Sequence, residues 1–384
     1  MLNKGINIQR TIKKDVIKHL QPNKVVVIYG PRQVGKTTLV KEILQGVKED
    51  VLFVSGEDKS VHPWLSSQSN SILQENIGNK KLLVIDEAQK IYQIGLNLKI
   101  MVDMIPGIKI ITTGSSSFKL ANQVGEPLVG RRWEYFLYPI SQMELTPYEN
   151  LFETKALLPS RLIYGSYPEV ITTSDQHEKI RILKSVVDNH LYSDLLEFEG
   201  IRKSYKIIQL LRLIALQIGF EVSLNEVGGQ LGLNTRTVER YLDLLEKAFV
   251  LKRVHGFSRN LRKEVTKSAR FYFYDNGIRN AILNSFNSLE LRSDVGQLWE
   301  NYLFIERLKV QEYKHLYRNN YFWRTYDQQE IDLVEEYEGV LHGYEFKWGS
   351  KNAKCPKSWS STYPKSTFKT INRDNYLSFI INEK

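Results

Sequence analysis

The residues with the clearest chemistry lie near the N-terminus, where the chain fits the spacing Gly-x-x-x-x-Gly-Lys-[Ser/Thr]. Glycines in such a loop let backbone N–H groups converge on phosphate oxygens at the start of a helix. In this pattern Lys36 reaches the β- and γ-phosphates, and the hydroxyl of Thr37 is a ligand for Mg²⁺. The predicted nucleotide-binding residues of the loop are Gly30, Pro31, Arg32, Gln33, Val34, Gly35, Lys36, Thr37 and Thr38. The spacing therefore predicts a site for ATP and Mg²⁺, with Lys36 as a catalytic residue.

Two carboxylates end a later aliphatic run, residues 82–85, and belong to the same predicted site. Asp86 is the predicted Mg²⁺ ligand, and Glu87 is the predicted catalytic group that orients the attacking water. The alternative is that both residues only cap the next helix. After the run 108–112, Ser115 is expected to lie beside the γ-phosphate. This arrangement predicts hydrolysis of ATP rather than binding alone.

A second group of chemically active residues lies near the C-terminus, on two alternating strands at 330–334 and 343–347. The alternation places Glu345 and Lys347 on one face. Asp332 and Glu345 are the predicted ligands of a divalent metal, and Lys347 is the predicted catalytic amine, with Glu300 close by. The alternative is an exposed hairpin whose charged groups are solvated.

A helix-turn-helix pattern separates these two regions, with helices predicted at 223–229 and 234–249 and wing strands at 251–255 and 271–274. Residues 203–270 include 13 basic and 6 acidic residues, so most of the net charge of +10 lies here. The predicted nucleic-acid contacts, with DNA favoured, are Arg236, Arg240, Arg259, Arg262 and Lys263, and Lys267 and Arg270 add to the basic wing. The alternative is a winged helix that only packs or docks a protein.

The elements that must position these residues indicate a four-part α/β chain. Short β-branched runs alternate with helical patterns between residues 24 and 117, which predicts a parallel sheet with crossover helices. The predicted domains are a P-loop domain at 1–140, a helical connector at 141–220, a winged helix at 221–285 and a nuclease-like α/β domain at 286–384. Strands covered on both faces are expected to be almost purely aliphatic, as these runs are.

Composition excludes several classes of protein. The single cysteine, Cys355, rules out an intramolecular disulfide and a Cys-rich zinc module. No apolar stretch approaches the roughly 18 to 20 residues that a membrane span requires. The first 20 residues lack the apolar core of a signal peptide. We therefore expect a cytoplasmic protein without a membrane partner.

The N-terminal half resembles the AAA-type ATPases. The resemblance implies that Asp86 and Glu87 form the second Walker motif, that Thr113 or Ser115 is the polar sensor, and that Arg131 is the catalytic arginine finger. A finger acts on a neighbouring subunit, so this role implies a homo-oligomer. The alternative is that Arg131 and Arg132 form a solvated surface pair.

The C-terminal strand pair resembles the restriction-endonuclease-like fold, in which an Asp is followed by Glu-x-Lys. Taken in order, the motifs GPRQVGKTT, LLVIDEAQ, TTGSSS, GRRWEYFLYP, YGSYPEV, ARFYFYDNGIRNAI, GQLWENYLFIE and YEFKWG resemble a prokaryotic family. Its members join an N-terminal AAA-type ATPase domain to a C-terminal DUF4143 domain. This resemblance implies ATP binding and a nuclease-like C-terminal fold.

Together these observations predict Mg²⁺-dependent ATP hydrolysis, coupled to nucleic-acid binding by the winged helix and to cleavage by the C-terminal domain. One alternative is a nucleotide-dependent switch or DNA-binding regulator whose inactive nuclease-like domain docks a protein partner. Another is an ATP-binding module that acts through protein contacts alone.

Overall fold

The computed structural model describes residues 7–115, 128–192, 195, 204–258 and 269–381. The described residues fall into two compact units, one within 8–139 and 247–249 and the other within 1–7, 140–246 and 250–384. Among the described helices, none combines the length and the apolar character that a bilayer span requires.

The first unit is built on five strands and five α-helices. The strands are β1 (Lys24–Tyr29), β2 (Val51–Ser55), β3 (Leu82–Asp86), β4 (Lys109–Gly114) and β5 (Arg132–Phe136). The helices are α1 (Lys13–His19), α2 (Lys36–Leu44), α3 (His62–Leu65), α4 (Asn70–Ile77) and α5 (Ile94–Met104), with 3₁₀ turns at Lys59–Val61 and Ala88–Lys90. The strands form one parallel sheet in the order β2-β3-β4-β1-β5. The predicted parallel sheet is therefore confirmed.

The fifth strand, β5, was not predicted. It pairs in parallel with β1 along the edge of the sheet. Its burial is partial, and Arg132 and Glu134 alternate with aromatic residues. An edge strand with this pattern lacks the continuous aliphatic run by which the other four strands were predicted.

The second unit begins with helices and continues with a sheet. Its helices are α6 (Gln142–Leu145), α7 (Leu151–Tyr164), α8 (Pro168–Thr172), α9 (Gln176–Ser185), α10 (Ser204–Leu216), α11 (Leu224–Leu231), α12 (Thr235–Lys247), α13 (Asn276–Leu283), α14 (Val295–Tyr313), α15 (Lys357–Thr362) and α16 (Tyr376–Ile381). A π-helical turn at Val186–Leu191 follows α9, and Leu289–Leu291 is a 3₁₀ turn. Most described residues of the predicted connector, 141–220, lie in helices, which are joined by short irregular segments such as 165–167 and 173–175.

The strands of this unit are β6 (Glu221–Val222), β7 (Leu251–Gly256), β8 (Ala269–Phe273), β9 (Asn319–Arg324), β10 (Glu330–Tyr337), β11 (Val340–Phe346) and β12 (Thr367–Ile371). They form one seven-stranded sheet in the order β12-β11-β10-β9-β7-β8-β6. The predicted wing strands do pair antiparallel, as β7 with β8. However, β7 also pairs in parallel with β9.

This sheet includes strands from both sides of the predicted domain boundary between residues 285 and 286. The predicted winged helix and the predicted nuclease-like domain therefore share one sheet within one compact unit. The pairing of β7 with β9 joins strands about 65 residues apart, and local patterns do not report such long-range pairing.

Candidate functional site

The loop between β1 and α2 has the geometry of a phosphate-binding loop. Its last glycine, Gly35, is the N-cap of α2 and has φ 94°, in the region that favours glycine. At Gly30 a β-carbon would lie 2.2 Å from the carbonyl oxygen of Leu137, so only glycine fits. The ammonium of Lys36 is buried and donates to the carbonyl oxygens of Gly30 (2.9 Å) and Pro31 (2.8 Å). The loop thus holds a positive charge at the start of a helix, where an anion is favoured.

The first carboxylate of the predicted site lies beside this loop. Asp86 ends β3, and the hydroxyl of Thr37 donates to its Oδ2 at 2.8 Å. The hydroxyl of Thr113, near the end of β4, donates to the other carboxylate oxygen. Within the described residues, no cationic side chain forms an ion pair with Asp86. A hydroxyl and a carboxylate in contact are hard oxygen ligands, so Thr37 and Asp86 fit Mg²⁺.

The second carboxylate is held by neutral side chains. The amide of Gln89 donates to Glu87 Oε2 (2.6 Å) and to Ser115 Oγ (3.0 Å), and Ser115 Oγ lies 3.3 Å from the same Glu87 oxygen. The backbone N–H of Glu87 donates to the hydroxyl of Thr113 at 3.1 Å. The structure therefore brings together the predicted residues Glu87 and Ser115, and adds Gln89, which the sequence interpretation did not single out.

Arg10 is a second residue that the sequence interpretation missed. Its guanidinium is buried and donates to the carbonyl oxygens of Val34 (2.7 Å) and Tyr138 (2.5 Å). One contact lies in the phosphate loop, and the other lies just beyond β5. Arg10 therefore fixes the loop to the rest of the first unit. Its separation of 24 residues from Val34 leaves no local pattern that would have revealed it.

The remaining residues predicted for this site lie around it. Thr38 and Gln33 are exposed, whereas Arg32 is half-buried. Arg131 is half-buried and forms an ion pair with Asp103 at 2.6 Å. The described contacts thus hold Arg131 on the surface of the first unit, and its role as a finger stays a prediction.

The two helices of the predicted helix-turn-helix are present as α11 and α12. Gly232 has the left-handed conformation that ends α11, and the Asn234 side chain caps α12 by accepting from the N–H of Thr237 at 2.8 Å. The second helix ends at Lys247, two residues before the predicted end, because Phe249 takes a left-handed φ of 57°. Its buried residues are Val238, Tyr241, Leu242, Leu244 and Leu245.

The predicted nucleic-acid contacts on α12, Arg236 and Arg240, are exposed, and the guanidinium of Arg240 lies 5.6 Å from the centre of the Tyr241 ring. Arg259, Arg262 and Lys263, and also Lys267, lie outside the described residues. The basic wing therefore stays a prediction.

Arg270, counted as a wing residue, lies instead in β8 and is buried. Its guanidinium forms ion pairs with Glu330 (2.9 Å), Glu300 (3.4 Å) and Asp332 (3.7 Å). We call these residues, with Glu345 and Lys347, the carboxylate cluster. Placing Arg270 on the wing loop was wrong, because the strand β8 begins at Ala269, two residues before the predicted start.

The other contacts of the carboxylate cluster come from the protein itself. The backbone N–H of Phe346 donates to Asp332 Oδ2 at 2.8 Å, and the hydroxyl of Tyr272 donates to Glu300 Oε1 at 2.6 Å. Lys347 donates to Glu345 Oε1 at 2.6 Å. The second oxygen of Glu345 is buried and, among the described residues, has no hydrogen-bond partner.

Burial dominates the electrostatics of this cluster. It raises the pKa of Glu300 to about 7, although Arg270 acts in the opposite direction. Burial, followed by the charges of Glu300 and Glu345, raises the pKa of Asp332 well above its ordinary value. For Lys347 burial lowers the pKa, but the hydrogen bond to Glu345 and the neighbouring carboxylates outweigh it, and the pKa is raised.

The cluster does not fit a divalent metal in this arrangement. No group of three or more His, Cys, Asp or Glu side chains in the described ranges could hold a metal ion. A divalent ion needs about six oxygen ligands, and most of the oxygens here already accept protein donors or face Arg270. The predicted contact between Glu345 and Lys347 is present, but metal binding by Asp332 and Glu345 stays a prediction.

Comparison with protein families matches three stretches of the chain. An AAA domain matches residues 22–146, the domain of unknown function DUF8612 matches residues 155–289, and the domain of unknown function DUF4143 matches residues 295–374. The first match contains the phosphate loop, and the third contains most of the carboxylate cluster.

Two uncharacterized proteins are similar to this chain over most of its length. An uncharacterized protein of Methanocaldococcus jannaschii is 26% identical over 345 residues, which cover 85% of this chain and 75% of the relative. An uncharacterized protein of Mycobacterium tuberculosis is 25% identical over 328 residues, which cover 84% of this chain and 70% of the relative. The similarity thus extends over both units.

Similar solved structures are more distant. A Signal Transduction ATPase with Numerous Domains from Pyrococcus horikoshii has a TM-score of 0.31 at 14% identity, over 80% of this chain and 46% of that one. The RuvB Holliday junction branch migration motor of Thermotoga maritima has a TM-score of 0.33 at 17% identity, over 64% of this chain and 90% of that one. The family matches carry the assignment: this chain joins an N-terminal AAA domain to a C-terminal DUF4143 domain.

Proposed function

We propose that the protein hydrolyses ATP at the phosphate loop in the presence of Mg²⁺. The observation that carries the proposal is the contact of Thr37 with Asp86 at 2.8 Å, next to the buried ammonium of Lys36. The AAA domain independently supports a nucleotide-dependent activity. Bound Mg²⁺, held by Thr37 and Asp86, would neutralise charge on the phosphates.

The other steps of hydrolysis are assigned to side chains and backbone groups of the protein. Lys36 and the backbone N–H groups of the loop bind the phosphate oxygens and stabilise the charge that develops on them. Glu87 orients a water molecule and accepts its proton while the water oxygen bonds to the γ-phosphorus. The bond to the bridging oxygen breaks, and ADP and phosphate leave. Gln89 and Ser115 keep the Glu87 carboxylate in place.

ATP turnover by wild type and by Lys36→Ala tests this proposal. We expect a loss of at least about 100-fold in kcat/KM, because the loop loses its buried positive charge. Lys41→Ala is the matched control, since Lys41 is exposed on the same helix. Turnover that survives Lys36→Ala would contradict the proposal.

Arg131 extends the proposal to assembly. As a finger it would reach the γ-phosphate on a neighbouring subunit, which requires Arg131 to leave Asp103 in a homo-oligomer. Sedimentation with a non-hydrolysable ATP analogue tests this. A monomer whose turnover is insensitive to Arg131→Ala would contradict a finger role.

We further propose that the ATPase acts on nucleic acid, with DNA favoured, through α12. Support comes from the exposed arginines Arg236 and Arg240 on the second helix of the helix-turn-helix and from the basic surplus of residues 203–270. Removing both arginines is expected to weaken binding and to flatten the dependence of affinity on salt. Arg181→Ala, at a side chain that is 79% exposed on α9, is the matched control. Unchanged affinity and salt dependence would contradict this proposal.

Cleavage by the carboxylate cluster is the second candidate function, and it requires a divalent metal ion to displace Arg270 from Glu300 and Asp332. The observation in its favour is the contact of Lys347 with Glu345, whose other oxygen is buried and unpaired among the described residues. Nicking of supercoiled plasmid in Mg²⁺ or Mn²⁺, lost in Lys347→Ala, would support it. If neither the wild type nor Lys347→Ala nicks DNA, the better proposal is a nucleotide-dependent regulator whose C-terminal domain docks a protein partner.

A further inference from the structure

The centre of the carboxylate cluster is a guanidinium. Arg270 reaches carboxylates from two different elements, Glu300 on α14 and Glu330 and Asp332 on β10. The side chain of Arg270 is 4% exposed, and the ring of Phe322 lies 4.7 Å from its central carbon. A planar cation with five N–H donors can hold several carboxylates at once.

The carboxylates need such a cation. Glu300, Asp332 and Glu345 are all largely buried, and uncompensated charges of one sign are costly away from water. A divalent metal would be one way to offset them. Arg270 and Lys347 offset them instead, and Arg270 does so from the position between Glu300 and the β10 carboxylates.

We infer that Arg270 is the resident cation of the carboxylate cluster and that it closes the cluster to divalent metal ions. It holds Glu330 and Asp332 from β8, so that their oxygens point at a guanidinium rather than at an open cavity. The one acceptor left over, Glu345 Oε2, has no partner among the described residues and marks the place where a metal would gain its first ligand. This inference concerns the second unit alone and does not depend on ATP hydrolysis.

The experiment is a titration with Mn²⁺ in which free Mn²⁺ is followed by electron paramagnetic resonance, without nucleotide. All proteins carry Asp86→Asn, which removes the carboxylate ligand at the phosphate loop. With Arg270 present, Glu345→Gln is expected to leave the number of bound Mn²⁺ ions unchanged up to millimolar concentration. Loss of one bound ion on Glu345→Gln would overturn the inference.

Removing the guanidinium should open the cluster. Arg270→Met, which keeps most of the side-chain volume without the charge, is expected to gain one Mn²⁺ per chain, and adding Glu345→Gln should abolish that gain. Arg270→Lys keeps the charge and is expected to gain none. A folded Arg270→Met protein that gains no ion would also overturn the inference. Should Arg270→Met fail to fold, the Glu345→Gln comparison in proteins that retain Arg270 still decides, because it needs no change at Arg270.

Discussion

Asp86 and Glu87 in the first unit differ from the carboxylates of the second unit in what holds them. The hydroxyls of Thr37 and Thr113 bind Asp86, and an amide and a hydroxyl bind Glu87. In the second unit a buried guanidinium binds Glu300, Glu330 and Asp332. Neutral partners can remain in place, or become ligands themselves, when a cation arrives. A charged partner competes with that cation for the same oxygens.

The carboxylates of the first unit are therefore arranged to accept a cation from solution. The carboxylates of the second unit already hold a cation of the protein, Arg270. Both sites contain paired carboxylates near strand ends, and motif spacing alone does not distinguish them. Substitutions at each site, together with the pH dependence of stability, test that distinction.

The largest effect is expected at Glu87. Glu87→Gln retains hydrogen bonding but cannot accept a proton, so ATP turnover should fall about 100- to 1000-fold while ATP binding persists. Parallel kinetic and equilibrium nucleotide-binding measurements check this. Glu57→Gln, at a side chain that is 59% exposed, is the control. Undiminished turnover would remove Glu87 from the mechanism.

A smaller effect is expected at Arg10. Arg10→Ala releases the carbonyl oxygens of Val34 and Tyr138, so the phosphate loop loses its support and kcat/KM for ATP should fall about tenfold. Arg10→Lys should recover part of this loss, since an ammonium can still donate to one carbonyl. Lys14→Ala, at an exposed position on α1, is the control. If kcat/KM stays at the wild-type value in a folded Arg10→Ala protein, the loop does not need this support.

The third effect concerns stability and pH in the second unit. The pKa of Glu300 is about 7 in the folded protein, above its ordinary 4.5, so the folded protein binds this proton more tightly than the unfolded chain does. The unfolding free energy should therefore fall as pH rises from about 4.5 to 7, by on the order of 2 kcal/mol.

Denaturant unfolding of wild type and Glu300→Gln between about pH 5 and 8 checks this, and the variant should show a flatter dependence. Glu338→Gln, at the exposed hairpin turn, should keep the wild-type slope. A wild-type unfolding free energy that rises over this range would show that Arg270 outweighs burial at Glu300.

The smallest effect is expected at Gln89. Gln89→Ala removes the amide that joins Glu87 to Ser115, but Ser115 still contacts Glu87, so kcat should fall only a few-fold with KM for ATP unchanged. Steady-state kinetics check this. A loss as large as that of Glu87→Gln would mean that Gln89 itself contacts the reacting groups.

The sequence predicted which residues of the first site lie close together, because the determinants of that proximity are local. The loop of residues 30–37 has a fixed spacing, and the carboxyl ends of parallel strands meet at one edge of a sheet, which brings Asp86 to Thr37. Arg10 was missed because nothing in its immediate neighbourhood distinguishes it from other polar residues. Gln89 ends the motif LLVIDEAQ, but the motif does not show that this side chain contacts Glu87.

Sequence predicted the second site less well because its arrangement depends on strand pairing. Glu345 and Lys347 are two residues apart in the chain, and their contact followed from alternation. The position of Arg270 depends on where β8 lies relative to β10. Local sequence patterns do not predict the order of strands in a mixed sheet. The aromatic run that follows Arg270 indicated a strand from residue 271, but it did not show that the strand includes Arg270.

The pairing of β7 with β9 has a consequence for how this chain can be divided. A truncation or gene fusion that separates residues 1–285 from the rest would expose the edges of β7 and β9 and leave Glu300, Glu330 and Asp332 without Arg270. Exposed strand edges favour aggregation. The second unit should therefore be inherited, exchanged between proteins and expressed as one piece, with α11, α12 and its C-terminal strands together.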